Sequence, residues 1–335
     1  MPQISSKIIA NLNGKDIILF KIQNGLGAYV EIMNYGATLI SFVVPDRQGD
    51  MRNIILRYDN IDDYFSDTSY IGSTIGRFAN RISNAQFTLK GKTYLLDKND
   101  GNNSNHGGFT GFSSRIFDHE ICENALILSY KSIDGEGGFP GNLDFWVSYS
   151  FSDENKLCIG YKSISDNETV FNPTNHAYFN LSTEKESILN HKLQVLADSY
   201  LETNDDFIPT GEILSIKNTA FDFSTYKTIA EMMLQKKEII QGFNTYFVSN
   251  SKEELKYLAS LQDENSNTIL DIYSTMPGVQ IYTGDYLSGQ HKSFSGICLE
   301  AQFYPDGPNH AHFETCWLKP FEIKAHEISF HYSVK

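Results

Sequence analysis

Phe145-Trp146-Val147-Ser148-Tyr149-Ser150-Phe151-Ser152 decides the fold class. Phe145, Val147, Tyr149 and Phe151 fall on alternate positions, with Trp146 and the serines between them. A period of two places the large apolar side chains on one face of an extended chain. After the turn-forming Asp153-Glu154-Asn155, the alternation resumes at Leu157, Ile159 and Tyr161, so the segment reads as an antiparallel hairpin. The pattern returns on either side of it. Phe87-Thr88-Leu89 and Tyr94-Leu95-Leu96 flank Lys90-Gly91 as a second hairpin, and Ile328, Phe330 and Tyr332 alternate with Ser329, His331 and Ser333 as a half-buried strand. Helical periodicity is confined to Thr228 to Ile240 and Ser251 to Leu261, and the second opens on Ser251-Lys252-Glu253-Glu254, a start that suits an N-cap. No repeat, low-complexity tract or linker interrupts the chain, which predicts one large all-β domain over residues 1–335 with a few short connecting helices.

Composition narrows the function classes. With 335 residues, 41% of them hydrophobic and 20% charged, the chain has apolar material for a sizeable core. Asp and Glu outnumber Lys and Arg by 41 to 27, a net charge of −14. No basic cluster offsets that field, which argues against nucleic acid and anionic membrane as partners. No apolar run approaches the roughly 18 residues that span a bilayer, and Met1 to Gly14 lacks the apolar core of a signal peptide. Cys122, Cys158, Cys298 and Cys316 show no CxxC spacing, so reduced, structural thiols and a cytoplasmic location are expected.

Strand parity picks out the chemistry. In Asn172-Pro173-Thr174-Asn175-His176-Ala177-Tyr178-Phe179-Asn180, an extended backbone puts His176, Tyr178 and Asn180 on one face and Ala177, Phe179 and Leu181 on the other. In Ile297 to Gln302, Ile297, Leu299 and Ala301 form the core side, with Cys298, Glu300 and Gln302 opposite. A glutamate inside an apolar strand needs a partner, water or a function. Gly101 to Gly108 is a turn-forming run containing His106, and Gly76-Arg77-Phe78-Ala79-Asn80-Arg81 supplies two guanidiniums. Such mixtures of His, Arg, Asn and carboxylate recognise neutral hydroxylated ligands. Taken singly, each has a plainer reading: a hydrogen-bonded structural histidine, a buried carboxylate partnering an arginine, surface ion pairs, a turn. His310 and His312 could present two imidazoles to a metal, but no third ligand stands at a recognisable spacing. No GxSxG, Walker or GxGxxG motif is present.

In series these segments resemble the aldose 1-epimerases, or galactose mutarotases. The resemblance rests on Gly76 to Ile82, Asn105-His106-Gly107-Gly108, Asn172 to Leu181, Pro277 to Thr283, and Cys298 to Gln302 with Pro305-Asp306, in the family's order and approximate spacing over nearly the whole chain. Asn34-Tyr35-Gly36-Ala37 and Pro308-Asn309-His310 add to it. It implies a galactose mutarotase-like β-sandwich and an isomerase that interconverts the α and β anomers of free hexoses such as galactose and glucose. It also implies Glu300 as general base, His176 as general acid, and Asn80, Arg81, His106, Asn244 and Gln280 as sugar-binding residues. Arg77 is the less suited of the two arginines to touch sugar. No cofactor or metal is implied, the partner is a monosaccharide, and the chain is a monomer or homodimer. One departure stands out: where the family carries Asp in a Gly-x-Asp-x-x-Phe segment, Gly242 to Phe247 has Asn244, with one acceptor and two donors. Ser104 also precedes Asn105-His106 where an apolar residue is common. Competing functions are a non-catalytic sugar-binding relative, a hexose-6-phosphate 1-epimerase, which needs convergent cations, and a glycoside hydrolase, which needs two flanking carboxylates.

Overall fold

The computed structural model describes residues 2–184, 187–235 and 242–335. Its hairpin from Leu143–Phe151 to Lys156–Ser165 pairs Val147 with Tyr161 and Tyr149 with Ile159. Both strands therefore turn the same face inward, as the alternation requires. They sit inside a nine-stranded antiparallel sheet, flanked by Ala125–Ser132 on one side and Lys324–Val334 on the other. In that last strand Ile328, Phe330 and Tyr332 are buried. The second expected hairpin forms from Gln86–Leu89 and Lys92–Leu95.

Two further sheets cover the inner face. Residues Gln3–Leu12 to Met51–Asn53 run as a five-stranded meander. A six-stranded sheet takes the order Tyr178–Phe179, Ile297–Gln302, Gly278–Tyr282, Asn244–Ser249, Ala197–Thr203, Pro209–Ser215. One contiguous core joins all three, with Phe20 and Val30 from the five-stranded sheet, Phe145 and Phe330 from the nine-stranded sheet, and Val279 and Leu299 from the six-stranded sheet. This is sheet-on-sheet packing around a single apolar layer.

Helix is sparse, and one expectation fails. Ile229–Gln235 is helical. Thr228 opens it with a reciprocal cap: its N–H donates to Glu231 Oε2 at 2.9 Å while the Glu231 N–H donates to Thr228 Oγ1 at 3.2 Å. The remainder of that expected helix, 236–240, lies outside the described residues. The expected helix from Ser251 to Leu261 is instead a turn leading into strand Lys256–Asp263. Ser251 Oγ accepts the Glu253 N–H at 3.3 Å but no helix follows. Leu255, Leu258, Ala259 and Leu261 happen to match a helical stripe, but the segment is paired on both edges, with Lys192–Val195 and Thr268–Ser274. Sheet pairing overrides the local pattern. Ile61–Phe65 adds a short helix that the periodicity did not show. Among the described residues no helix is long and apolar enough to cross a membrane. All four cysteines are free.

What matters for chemistry is the edge of the six-stranded sheet. Ile297–Gln302 pairs Cys298 with Tyr178 on one side and Glu300 with Gln280 on the other. The segment carrying His176 is thereby laid beside the strand carrying Glu300.

Candidate active site

Parity along Ile297–Gln302 works as a sorting device. Ile297, Leu299 and Ala301 enter the main core. Cys298, Glu300 and Gln302 point the other way, and all three are buried as well. Glu300 forms part of the floor of an open cleft of about 580 Å³, within the usual range for small-molecule sites, roughly 300–1,000 Å³. His176 and Tyr178, expected on one face, both line it, whereas Asn180 turns away to donate to Ser295 O and accept from Ser182. Ala177, Phe179 and Leu181 join the core.

The central pair is Glu300 and His176, 2% and 4% exposed. His176 Nε2 stands 3.7 Å from Glu300 Oε1. Glu300 Oε2 is buried without a hydrogen-bond partner, an acceptor held free beside the cleft. Burial pushes the Glu300 carboxyl up to about 8, with the nearby Arg81 charge pulling the other way. Burial also brings His176 down to about 4. Between those values the pair holds one proton. It can exist as carboxylic acid with neutral imidazole or as carboxylate with imidazolium.

Around this floor the structure gathers Asn80, Arg81, His106 and Asn244 in the cleft wall. Arg81 Nε donates to Asp100 Oδ2 at 2.7 Å, and its guanidinium lies over the Phe207 ring. His106 Nδ1 accepts the Asn80 backbone N–H at 3.2 Å. Burial, then the His176 and Arg81 charges, hold its pKa well below the ordinary imidazole range. Gln280 stands one layer back: its Nε2 donates to Asn244 Oδ1 at 2.6 Å, and both line a small adjoining cavity. Gln280, expected to bind sugar, thus pairs with Asn244 of the cleft wall. Among the described residues, Arg81 is the one Lys or Arg in the cleft wall, which also contains Asp100, Asp205, Asp206 and Glu300.

Several quoted motif residues turn out to hold the walls. Arg77 donates to Ser132 Oγ, Ser132 O, Ile133 O and Pro140 O and lies away from the cleft. Asn172 Nδ2 donates to Ala79 O and Phe303 O, while its Oδ1 accepts the Phe303 N–H. It clips the Arg77-to-Arg81 segment to the end of the Glu300 strand. Asp306 accepts the Ser83 N–H and donates its own backbone N–H to Arg81 O. His310 Nε2 lies 3.3 Å from Asp306 Oδ2 and His312 Nε2 2.8 Å from Gly211 O, so the two imidazoles serve different contacts.

Several cleft residues escaped the sequence reading, Tyr70 and Phe207 among them. Tyr70 lines the cleft and packs at a tilt against both His106 and His176, at ring-centroid distances of 4.7 and 5.8 Å. Asp67 fixes its loop by accepting the Ser69 and Ile71 N–H groups and the Tyr58 hydroxyl. Tyr70, Asn80, His106 and Phe207 hold left-handed φ values of 57°, 67°, 52° and 58°. At Tyr70, His106 and Phe207 each costs about 1–2 kcal/mol, whereas asparagine, as at position 80, adopts it more readily. Among the described residues, His176, Cys298 and Glu300 are the cluster whose donor atoms, all within 4.8 Å of one another, come close enough to hold a metal. The ring turns Nδ1 to the thiol and Nε2 to the carboxylate, however, which is a relay geometry rather than a common coordination point.

A β-sandwich with a buried Glu300–His176 pair on the floor of an open polar cleft places the protein among galactose mutarotase-like folds. Residues 19–331 match the family model described as aldose 1-epimerase. The chain is 37% identical over 314 residues to the galactose mutarotase of Bos taurus, covering 91% of each chain. It is 35% identical over 326 residues to the aldose 1-epimerase of Escherichia coli K12, covering 92% of this chain and 93% of that one. The solved galactose 1-epimerase of Lactobacillus acidophilus superposes with a TM-score of 0.89 at 27% identity, over 100% of this chain and 99% of the other. The chain belongs to the aldose 1-epimerase family, and is an isomerase by that membership.

Proposed function

We propose that the protein interconverts the α and β anomers of free hexoses such as galactose and glucose, with Glu300 as general base and His176 as general acid. The observation that carries this reading is the buried Glu300–His176 pair in the cleft, with a partnerless Glu300 Oε2 and His176 Nε2 at 3.7 Å from the other carboxylate oxygen. In its carboxylate–imidazolium form, Glu300 takes the proton of the C1 hydroxyl while His176 protonates the ring oxygen. The C1–O5 bond breaks, C1 becomes an aldehyde, and the pair is left as carboxylic acid and neutral imidazole. Rotation about C1–C2 presents the other carbonyl face. O5 adds back, His176 recovers its proton from O5, and Glu300 returns one to O1. Both transfers use side chains, and the two forms of the pair match the closed and open sugar.

His106, neutral and holding Nδ1 toward a backbone N–H, supplies an Nε2 donor to a sugar oxygen; Arg81, Asn80 and Asn244 bind the remaining hydroxyls. Among the described residues the cleft wall has four carboxylates and one arginine, a balance that suits an uncharged aldose and opposes a phosphate dianion. The walls draw on residues from Thr68 to Ser288 and Glu300, which fits one domain spanning the chain. Polarimetry on freshly dissolved α-glucose and α-galactose tests the assignment. The expected result is loss of optical rotation well above the spontaneous rate, abolished in Glu300→Gln. Wild-type protein no faster than buffer would overturn it and leave a sugar-binding role.

A further inference from the structure

The reaction asks opposite things of two imidazoles whose ring centroids are 5.2 Å apart. His106 has to keep one charge state and donate, whereas His176 has to gain and lose a proton. The atom facing each Nδ1 separates them. Opposite His106 Nδ1 is the backbone N–H of Asn80, at 3.2 Å. A backbone amide only donates, so a proton on that Nδ1 would set N–H against N–H. The neutral ring must carry its hydrogen on Nε2. Opposite His176 Nδ1 is Cys298 Sγ, at 3.5 Å. A thiol donates weakly through S–H and accepts weakly through sulfur.

We propose that Cys298 is the positioning residue of His176: its thiol donates to Nδ1 of the neutral ring, holding the hydrogen on Nε2, and turns to accept from Nδ1–H of the imidazolium. His176 can then pass between both states without leaving its place beside Glu300. The fold builds this contact. Cys298 lies opposite Tyr178 in strand register and shares its face with Glu300, two residues on. It is fully buried, and Tyr282 is its register partner on the other side. Burial, then the Glu300 charge, holds the sulfur as thiol rather than thiolate. A thiolate there would accept only and would reverse the tautomer.

The inference rests on the acid role given to His176, and the test reads the two separately. Long-range proton–nitrogen correlation spectra of ¹⁵N-labelled protein report each imidazole tautomer without turnover, with His176 assigned by its loss in His176→Asn. At neutral pH both His106 and His176 are expected as the Nε2–H form. Cys298→Ala should leave His106 unchanged, turn His176 into a tautomer mixture and lower kcat by about tenfold, with KM within about twofold. Cys298→Ser, which keeps an atom that both donates and accepts, should recover most of that loss and restore the tautomer. Cys298→Val refills the buried volume without a hydrogen-bonding atom and carries the same expectations if the alanine variant does not fold. Wild-type kcat with an unchanged His176 tautomer in Cys298→Ala or Cys298→Val would overturn the proposal, as would an Nδ1–H tautomer in the wild type. Failure of the acid role has a different signature: His176→Asn would keep wild-type kcat while the tautomer still responded to Cys298.

Discussion

The nine-stranded and six-stranded sheets share one core but treat their second faces differently. Along Leu143–Phe151 every other residue is buried and those between are half-exposed. Along Ile297–Gln302 all six residues are buried. The first strand leaves its polar side chains in water. The second removes a glutamate, a thiol and an amide from water, and Glu300 Oε2 and Gln302 Oε1 find no hydrogen-bond partner there. Burial of unpaired polar atoms destabilises a fold. The contrast teaches that one strand can be divided by parity into a face that holds the sandwich together and a face that weakens it in return for chemistry.

The largest effect expected on the chemical face is from Glu300→Gln. An amide cannot accept the C1 proton, so kcat should fall by roughly 10²–10⁴ while sugar still binds. Stability should move oppositely. Glu300 is raised from an ordinary 4.5 to about 8, so the stability it contributes is complete below 4.5 and is lost as pH rises through about 8. The amide has no such loss, and at about pH 9 the variant should melt at or above the wild-type Tm. A lower Tm there would break the comparison by making Glu300 a structural residue.

His176→Asn comes next, with a kcat loss of about 10²-fold. In the wild type, kcat/KM should follow a bell in pH with limbs near 4 and near 8, both belonging to the pair. The His176 contribution to stability has the reverse sign, being present above the ordinary 6.5 and lost as pH falls toward about 4. A flat rate profile across that window would count against the pairing.

Leu299→Ala probes the other face of the same strand. Truncating this core residue should cost about 2–5 kcal/mol of stability. Below the melting range, kcat per folded molecule should stay within a few-fold. Loss of kcat in protein shown by calorimetry to be folded would mean that the two faces are not separable.

The smallest effect is expected from Asn244→Asp. The aspartate keeps an oxygen for the Gln280 amide and replaces the amide donor of Asn244 with a second acceptor. For a sugar whose hydroxyl donates there, kcat/KM should rise several-fold, on the order of 1 kcal/mol. Comparing glucose, galactose, xylose and fucose on both proteins sharpens the point. Unchanged values for all four would move Asn244 out of contact with the sugar.

How far the sequence could be read follows from the range of the forces involved. The hairpin at Phe145 to Tyr161 was legible because large side chains on alternate positions have one economical arrangement. Glu300 was legible for the same reason, being a polar residue on the wrong parity of a buried strand, and His176 by the same alternation, although it lies between the short strands Thr174–Asn175 and Tyr178–Phe179. Asn180 shares the parity of His176 but left the site, since strand Tyr178–Phe179 ends before it and its side chain pairs with Ser295 O and Ser182. Strand Lys256–Asp263 was misread because its apolar spacing fits a helix and only its two partner strands decide otherwise. Tyr70 was invisible because its place depends on a left-handed turn and on rings more than 30 residues away in sequence. Gln280 lay in a recognised motif, but whether it meets the cleft or backs Asn244 depends on a side-chain contact that spacing does not encode.

The left-handed residues around the cleft bear on how this enzyme would respond to selection for heat resistance. Glycine removes the Cβ conflict at 70, 106 or 207, and asparagine eases it. A screen that scores only survival on heating would therefore favour replacing Tyr70, His106 and Phe207, the side chains that shape the site. Thermotolerant variants selected that way should gain melting temperature and lose turnover together. Libraries that fix these three positions and vary the outer sheet faces should escape that coupling.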